Sequence, residues 1–521
     1  MSEFTSFLKD FFGFPAILIG IFALLGNLLQ RKSFTKSIVS TLTAALGFLI
    51  LQAGGGFISE VLVKFSSGFK ALFGIEGVLP NSDPLAISIL ATVADVATMA
   101  SFMLLISIIL NVILARVTKF KYIFLTGHHA LYSCVALAFL FKVANISIST
   151  DWWYYIIVGS VIISLYMLLT PAMTSKQMQF LTKSDKIFIG HSNSLGFAIA
   201  GQIGNWVGKI KKGNVKSTEN INFPKWLSVF KHSAVSVTIT MFILFSIIYF
   251  SLWATQGRAV MESIGILQKG ESPIALVFIL SLKFTAGLEV LMFGIRLMIG
   301  ELMPALEGIS KRFIPGARMA VDCPVVFNYA PTAVLIGFLS SLVGGIVGFG
   351  ISVGLNSAAP AVISAVIIPG IVHHFFTGGT AATFANVNGG ITGAILGSFT
   401  NGLITTFVPV MFLAMQSSFN FNFQEGNALL FAETDHTIFA TIGSFLQWAP
   451  AKWIVLVLAF IVLIYLVVDG VIHEVKDRKI NPDKYLKIKE ERLEEKTKFL
   501  NERKLLRDEK KKLQELKKIK R

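Results

Sequence analysis

The chain has 521 residues, 54% of them hydrophobic and only 15% charged, with a mean hydropathy of +0.70. That balance excludes an ordinary soluble domain and points to a polytopic membrane protein. A net charge of +16 suggests a polyanion-binding protein, but half the excess sits in one tail, where residues 474–521 hold 19 Lys/Arg against 11 Asp/Glu. Much of the rest lies in short loops between apolar runs (Arg31, Lys32, Lys36; Arg116, Lys119, Lys121; Lys209, Lys211, Lys212, Lys216), the pattern of cytoplasmic loops. Membrane topology therefore accounts for the charge, and no nucleic acid partner is expected.

The opening MSEFTSFLKDFF lacks a basic leader, so the first span is expected to remain in place. Apolar runs near spanning length follow at residues 11–30, 38–52, 85–115, 122–143, 153–170, 234–253, 274–300, 325–353, 390–415 and 453–469. They predict an all-α protein of ten or eleven transmembrane helices, with an odd number of crossings, Met1 outside and the basic C-terminus inside. Residues 416–449 are too polar and too short between apolar runs to assign. Three stretches read as buried pieces that do not cross: Gly54–Pro84, Ile187–Gly208 and Pro360–Asn388. The last contains Thr377-Gly378-Gly379-Thr380, a candidate helix start whose free N–H groups suit an anionic or hydroxyl-rich solute, with an external loop as the alternative. Pro15–Leu25 (PAILIGIFALL) echoes Pro331–Leu342 (PTAVLIGFLSSL), as paired halves of a transporter would.

The segment FIPGARMAVDCPVVFNYAP, residues 313–331, places the carboxylate Asp322 between apolar runs. An ionised group at bilayer depth costs about 3 kcal/mol or more and normally faces a wet cavity or a partner. The alternative is a helical i,i+4 pair with Arg318. Histidine is scarce, at eight residues, yet His128-His129, His191 and His373-His374 fall in or beside apolar segments, and His128 and His191 each follow a glycine. These imidazoles are candidates for substrate or proton binding, or for plain helix-to-helix hydrogen bonds. Adjacent histidines on a regular helix point about 100° apart, which argues against a shared metal ion. Cys134 and Cys323 are read as buried structural thiols, and neither a Walker loop nor a dinucleotide fingerprint is present, so no cofactor is expected. Residues 1–473 form the membrane domain on this reading, and residues 474–521, with leucines recurring at seven-residue intervals, a cytoplasmic helix or coiled coil.

The sequence of motifs LGFLILQAGGG, GIEGVLPN (Gly74–Asn81), LTGH (Leu125–His128), IGH (Ile189–His191), IPGARMAVDC (Ile314–Cys323) and FANVNGG (Phe384–Gly390) resembles the ascorbate permease, component IIC, of the bacterial phosphotransferase system, from about Pro15 to Asp469. The resemblance implies a homodimer in the bacterial cell membrane, each protomer having a core domain and a V-motif domain, with elevator-type movement of the core. It implies L-ascorbate or a related sugar as solute, phosphorylated by a separate cytoplasmic IIB phosphocysteine protein served by IIA. It also implies substrate contacts from Ser82 and Asp83, from His128, His129 and Tyr132, from His191 and Ser192, and from Asp322. Tyr132 and Ser192 stand where the family pattern has Gln, which leaves the exact solute open, and the Lys-rich tail beyond Lys479 has no counterpart in it. A galactitol-type permease, an ion-coupled carrier using Asp322 and a scaffold acting through the C-terminal helix are the alternatives.

Overall fold

A computed structural model describes residues 15–482, apart from 31, 75, 79–92, 222–232, 315, 328, 359–364, 371–372, 418–431, 447 and 449, and also Thr497. Ser82 and Asp83 lie outside the described residues, as does nearly all of the C-terminal tail.

The chain forms α1 (Pro15–Leu29), α2 (Phe34–Phe73), β1 (Glu76–Val78), α3 (Ala94–Val117), β2 (Tyr122–Phe124) and α4 (Gly127–Val143). Next come α5 (Ile148–Met173), α6 (Ser175–Thr182), β3 (Ile187–Ile189), α7 (Ser194–Ile210), α8 (Ser233–Gln256) and α9 (Arg258–Ser263). The order closes with α10 (Pro273–Phe313), β4 (Arg318–Val321), α11 (Pro331–Ala358), β5 (Ala365–Ile367), α12 (Gly379–Ser417, entered by a π turn over His374–Gly378), α13 (His436–Phe445) and α14 (Ala451–Ile480). Among the described residues eight helices are long and apolar enough to cross a bilayer: α2, α3, α5, α8, α10, α11, α12 and α14.

This is fewer than the ten or eleven spans expected, and the reasons are local. The apolar run 122–143 divides into strand β2 and the 17-residue helix α4, while the 15 residues of α1 reach only about 22 Å at 1.5 Å per residue. In the stretch beginning at Gly54 the three glycines do not break the helix: they sit inside α2, a continuous 40-residue helix. Tertiary packing overrides glycine's weak helix propensity there. Ile187–Gly208 divides into β3 and the 17-residue α7, which is not among the candidate spans.

The strands are the feature that a helical reading could not anticipate. β2, β4 and β3 form a parallel sheet in that order, with Tyr122 opposite Arg318 and Ile187 opposite Met319. Their residues, Tyr-Ile-Phe, Met-Ala-Val and Ile-Phe-Ile, are the continuous apolar runs of a sheet covered on both faces. Within a membrane protein every strand edge needs hydrogen-bond partners. Asn111, buried on α3, supplies them for the outer edge of β2: its Nδ2 donates to the Tyr122 carbonyl at 3.4 Å and its Oδ1 accepts from Phe124 N–H at 3.0 Å. Because β4 is a strand, Arg318 and Asp322 are not helical neighbours; the Arg318 guanidinium lies over the rings of Tyr122 and Phe188. The proposed surface pair is thereby overturned.

Helix packing is close where side chains are small. α11 and α12 approach so tightly that a Cβ on Gly402 would stand 1.9 Å from the Ser341 carbonyl oxygen. α7, α11 and α12 pack together, and α1, α2, α8 and α10 form another packed set.

Candidate substrate site

Three short steps at the strand ends bring the candidate residues together. Each strand of the central sheet ends at a polar step: β2 leads to Gly127-His128-His129, β3 to Gly190-His191-Ser192, and β4 to Asp322. Because the strands are parallel, all three steps emerge at the same end of the sheet, where open sheets commonly place ligand sites. Gly190 continues the ladder through its N–H to Val321 O at 2.8 Å, and a Cβ there would meet the Ala320 carbonyl oxygen at 3.0 Å and the Phe124 ring at 3.1 Å. That crowding is why a glycine precedes the second histidine.

Asp322 is the hub. Its Oδ2 lies 3.2 Å from His128 Nε2, and its Oδ1 lies 3.6 Å from His129 Nε2. Oδ1 also accepts the Cys323 N–H at 2.6 Å, capping the 3-10 turn Cys323–Val326. The carboxylate side chain keeps 34% of its surface accessible, whereas those of His128 and His129 keep 11% and 5%, so the acid faces an opening and the imidazoles stand behind it. His129 is held from the far side by Ser192, whose Oγ lies 2.7 Å from Nδ1. The His191 ring centroid is 3.8 Å from that of His129. His191 Nδ1 accepts the Asn193 N–H at 3.0 Å, which leaves the proton of the neutral ring on Nε2 as a donor. The site thus offers a carboxylate acceptor and an imidazole donor side by side, a set matched to a polyhydroxylated guest.

Asp322, His128 and His191, singled out by residue type, and His129 and Ser192, implied by the family resemblance, stand together in one cluster. Tyr132, one turn after His128, is fully buried with its ring 5.9 Å and 6.2 Å from those of His128 and His129. It packs the imidazoles from below. The geometric objection to a shared ligand for His128 and His129 fails: both reach one carboxylate, because the pair occupies the first turn of α4, just after the non-helical Thr126. These two nitrogens and the acid are close enough together to hold a metal ion.

The quartet Thr377–Thr380 is not a helix start. His373 is already helical, so the backbone N–H groups of the quartet lie within the helix and are not free for a ligand. Thr377 Oγ1 donates to His373 O at 2.8 Å, Thr380 Oγ1 to Phe376 O at 2.8 Å, and a Cβ on Gly378 would meet Ser341 Cβ at 2.3 Å, so Gly378 packs against α11. Gly379 packs against Val334 of the same helix. A single run of helix across His373–Thr380 explains the difference, since the glycines serve close packing.

Residues that sequence reasoning passed over stand immediately behind the site. Glu433, Thr434, Asp435 and His436 are all buried, in the stretch left unassigned between spans. Glu433 has His373 Nδ1 at 3.9 Å and His436 Nδ1 at 3.4 Å. Asp435 accepts the N–H groups of Ser194 and Leu195 at 3.0 and 2.7 Å, and Thr434 Oγ1 that of Gly196 at 2.8 Å. The available signal was four consecutive polar residues, Glu-Thr-Asp-His, in a chain this apolar.

A multi-spanning helical protein with a carboxylate-centred polar pocket enclosed by its own helices has the construction of a membrane solute carrier. The chain belongs to the EIIC-GAT family of the phosphotransferase system: residues 10–428 match its model, described as "PTS system sugar-specific permease component". It is thus a permease component of a sugar phosphotransferase system, a part of a transporter. A curated relative from Mycoplasma pneumoniae (strain ATCC 29342 / M129 / Subtype 1), named "Ascorbate-specific PTS system EIIC component", is 26% identical over 487 residues, covering 85% of this chain and 70% of that protein. Residues 433–436 fall beyond the matched region.

Proposed function

We propose that this permease carries L-ascorbate or a closely related sugar acid across a bacterial cell membrane, bound through Asp322, His128, His129 and His191 and released to a phosphorylated IIB protein. The observation that carries the reading is the convergence of one partly open carboxylate and three imidazoles at one end of the β2-β4-β3 sheet. A sugar acid brings hydroxyls for Asp322 and oxygens for the imidazole N–H groups. The name of the Mycoplasma relative supports the same solute. Tyr132 and Ser192 contribute by supporting the imidazoles, Ser82 and Asp83 are further substrate contacts on the strength of the family resemblance alone, and Thr377–Thr380 shape the α11–α12 wall behind the pocket.

Two separately packed sets of helices favour an elevator in which α7, α11, α12 and the sheet move against a scaffold of α1, α2, α8 and α10 within a homodimer. The echo of Pro15–Leu25 in Pro331–Leu342 fits helices at the start of each half, α1 and α11. The C-terminus lies in the cytoplasm, where IIB, charged through IIA, phosphorylates the solute as it emerges. Uptake of labelled L-ascorbate by proteoliposomes supplied with phosphorylated IIB is the test, and ascorbate phosphate inside is the expected product. Robust uptake of galactitol with none of ascorbate reassigns the solute. Accumulation of unphosphorylated solute on a proton gradient alone replaces the phosphotransfer mechanism by ion coupling.

A further inference from the structure

We infer that Thr434 and Asp435 are positioning residues for the sugar pocket, acting as a cap supplied from a distant segment that fixes the His191 arm. The inference rests on the pocket reading above and names further residues for that site. The first three N–H groups of a helix have no partner within it, and one of them is normally met by the preceding residue's side chain. In α7 the N-cap residue Asn193 makes no such bond. Its side chain is engaged elsewhere, with Nδ2 donating to Asn401 Oδ1 at 2.8 Å and Oδ1 accepting the Thr434 N–H at 3.0 Å. All three helix N–H groups are met from some 240 residues away: Ser194 and Leu195 by the two oxygens of Asp435, Gly196 by Thr434 Oγ1.

The clamp continues into the pocket. Asp435 N–H donates to Ser192 O at 3.0 Å, and Ser192 Oγ holds His129 at 2.7 Å. His191, Ser192 and Asn193 are thereby pinned between β3 and α7, with the His191 ring set against that of His129, 3.8 Å between centroids. Asp435 is fully buried and, among the described residues, has no Lys or Arg partner. Both of its oxygens are met by backbone N–H groups at the positive end of α7. Such a buried carboxylate is costly unless satisfied in this way, so the contact has one well-defined geometry.

The full-length protein in detergent micelles, titrated with L-ascorbate and with galactitol, tests the inference. For whichever sugar the wild type binds, Asp435→Ala should weaken binding by about tenfold or more, the loss of two buried hydrogen bonds to the start of α7. Thr434→Val should weaken it several-fold and Thr434→Ser should restore it to within about twofold. Tyr155→Phe removes a buried hydroxyl that donates to Ile146 O at 2.7 Å away from the pocket. It should lower the melting temperature without moving affinity, which separates positioning from mere stability. Equal affinity in Thr434→Val, Thr434→Ser and wild type overturns the inference, even if Asp435→Ala fails to fold. If the wild type binds neither sugar, the solute reading fails, and the clamp is then judged by diethylpyrocarbonate modification of His191 mapped by mass spectrometry. Thr434→Val should speed that modification; an unchanged rate overturns the clamp.

Discussion

Each oxygen of Asp322 has its own imidazole, and that division sets the expected mutational pattern. Asp322→Asn keeps the shape but removes the charge that both histidines and the guest hydroxyls address, so substrate affinity should fall at least about tenfold. Cys323→Ala trims a buried thiol and leaves the backbone N–H of residue 323 on Asp322, and should change affinity by less than about twofold. Isothermal titration of the two variants checks this, and equal losses would remove Asp322 from the binding role. Ser192→Ala releases His129 Nδ1 and should weaken binding by about fivefold, the worth of one buried hydrogen bond, again read by titration. The residue scale is also where the sequence was most informative. An acid or an imidazole in an apolar chain is too costly to be incidental, so Asp322, His128 and His191 were visible without coordinates. Ser192 and Tyr132 were legible only through the family resemblance, because a serine or tyrosine in a membrane segment signals little by itself.

At the scale of elements, the small parallel sheet does what a helical bundle does not: it aims three polar turns at one point. Its outer edge depends on Asn111, which makes both a donor and an acceptor bond to β2. Asn111→Leu leaves a buried carbonyl and a buried N–H without these partners and should destabilise the protein by about 2–4 kcal/mol. Thermal unfolding in detergent checks that figure, with substrate affinity falling in parallel as β2 loosens. Gly402→Ala places a methyl group against the Ser341 carbonyl, where backbone and not a flexible side chain must yield. It should reduce the yield of folded protein more than Gly56→Ala, whose Cβ meets nothing within 4 Å, as judged by monodisperse recovery on size exclusion. None of these strands was legible, since three or four apolar residues look the same in a strand and in a spanning helix.

For the whole molecule, α14 runs without a break from Ala451 to Ile480, across the boundary expected at residue 473, and its lower end is tied to α3 by Lys119–Asp469 at 2.9 Å and Arg116–Glu474 at 3.9 Å. These are partly exposed pairs worth at most about 1 kcal/mol each, so they orient the helix end more than they stabilise it. Removing residues 487–521 should leave transport within about twofold of wild type, measured as initial uptake in cells, because the carboxylate and imidazoles of the site are held by residues that all precede the tail. Complete loss of uptake with correct membrane insertion would assign the tail an essential function. A cysteine placed at Lys479 should react with a membrane-impermeant maleimide only from the cytoplasmic side, as the Lys/Arg distribution requires.

The sequence by itself determined that this chain is a multi-spanning membrane protein, and it singled out Asp322 and two glycine-preceded histidines as the polar residues that an apolar chain would have to bring together. Hydropathy and the cost of a buried charge are properties of each residue and its near neighbours, so they survive without coordinates. Only the tertiary structure decided that β2, β3 and β4 pair, that His128 and His129 share one carboxylate, and that Thr434 and Asp435 cap a helix some 240 residues away. Those bonds join segments distant in sequence, and no local pattern encodes the partner of a buried donor.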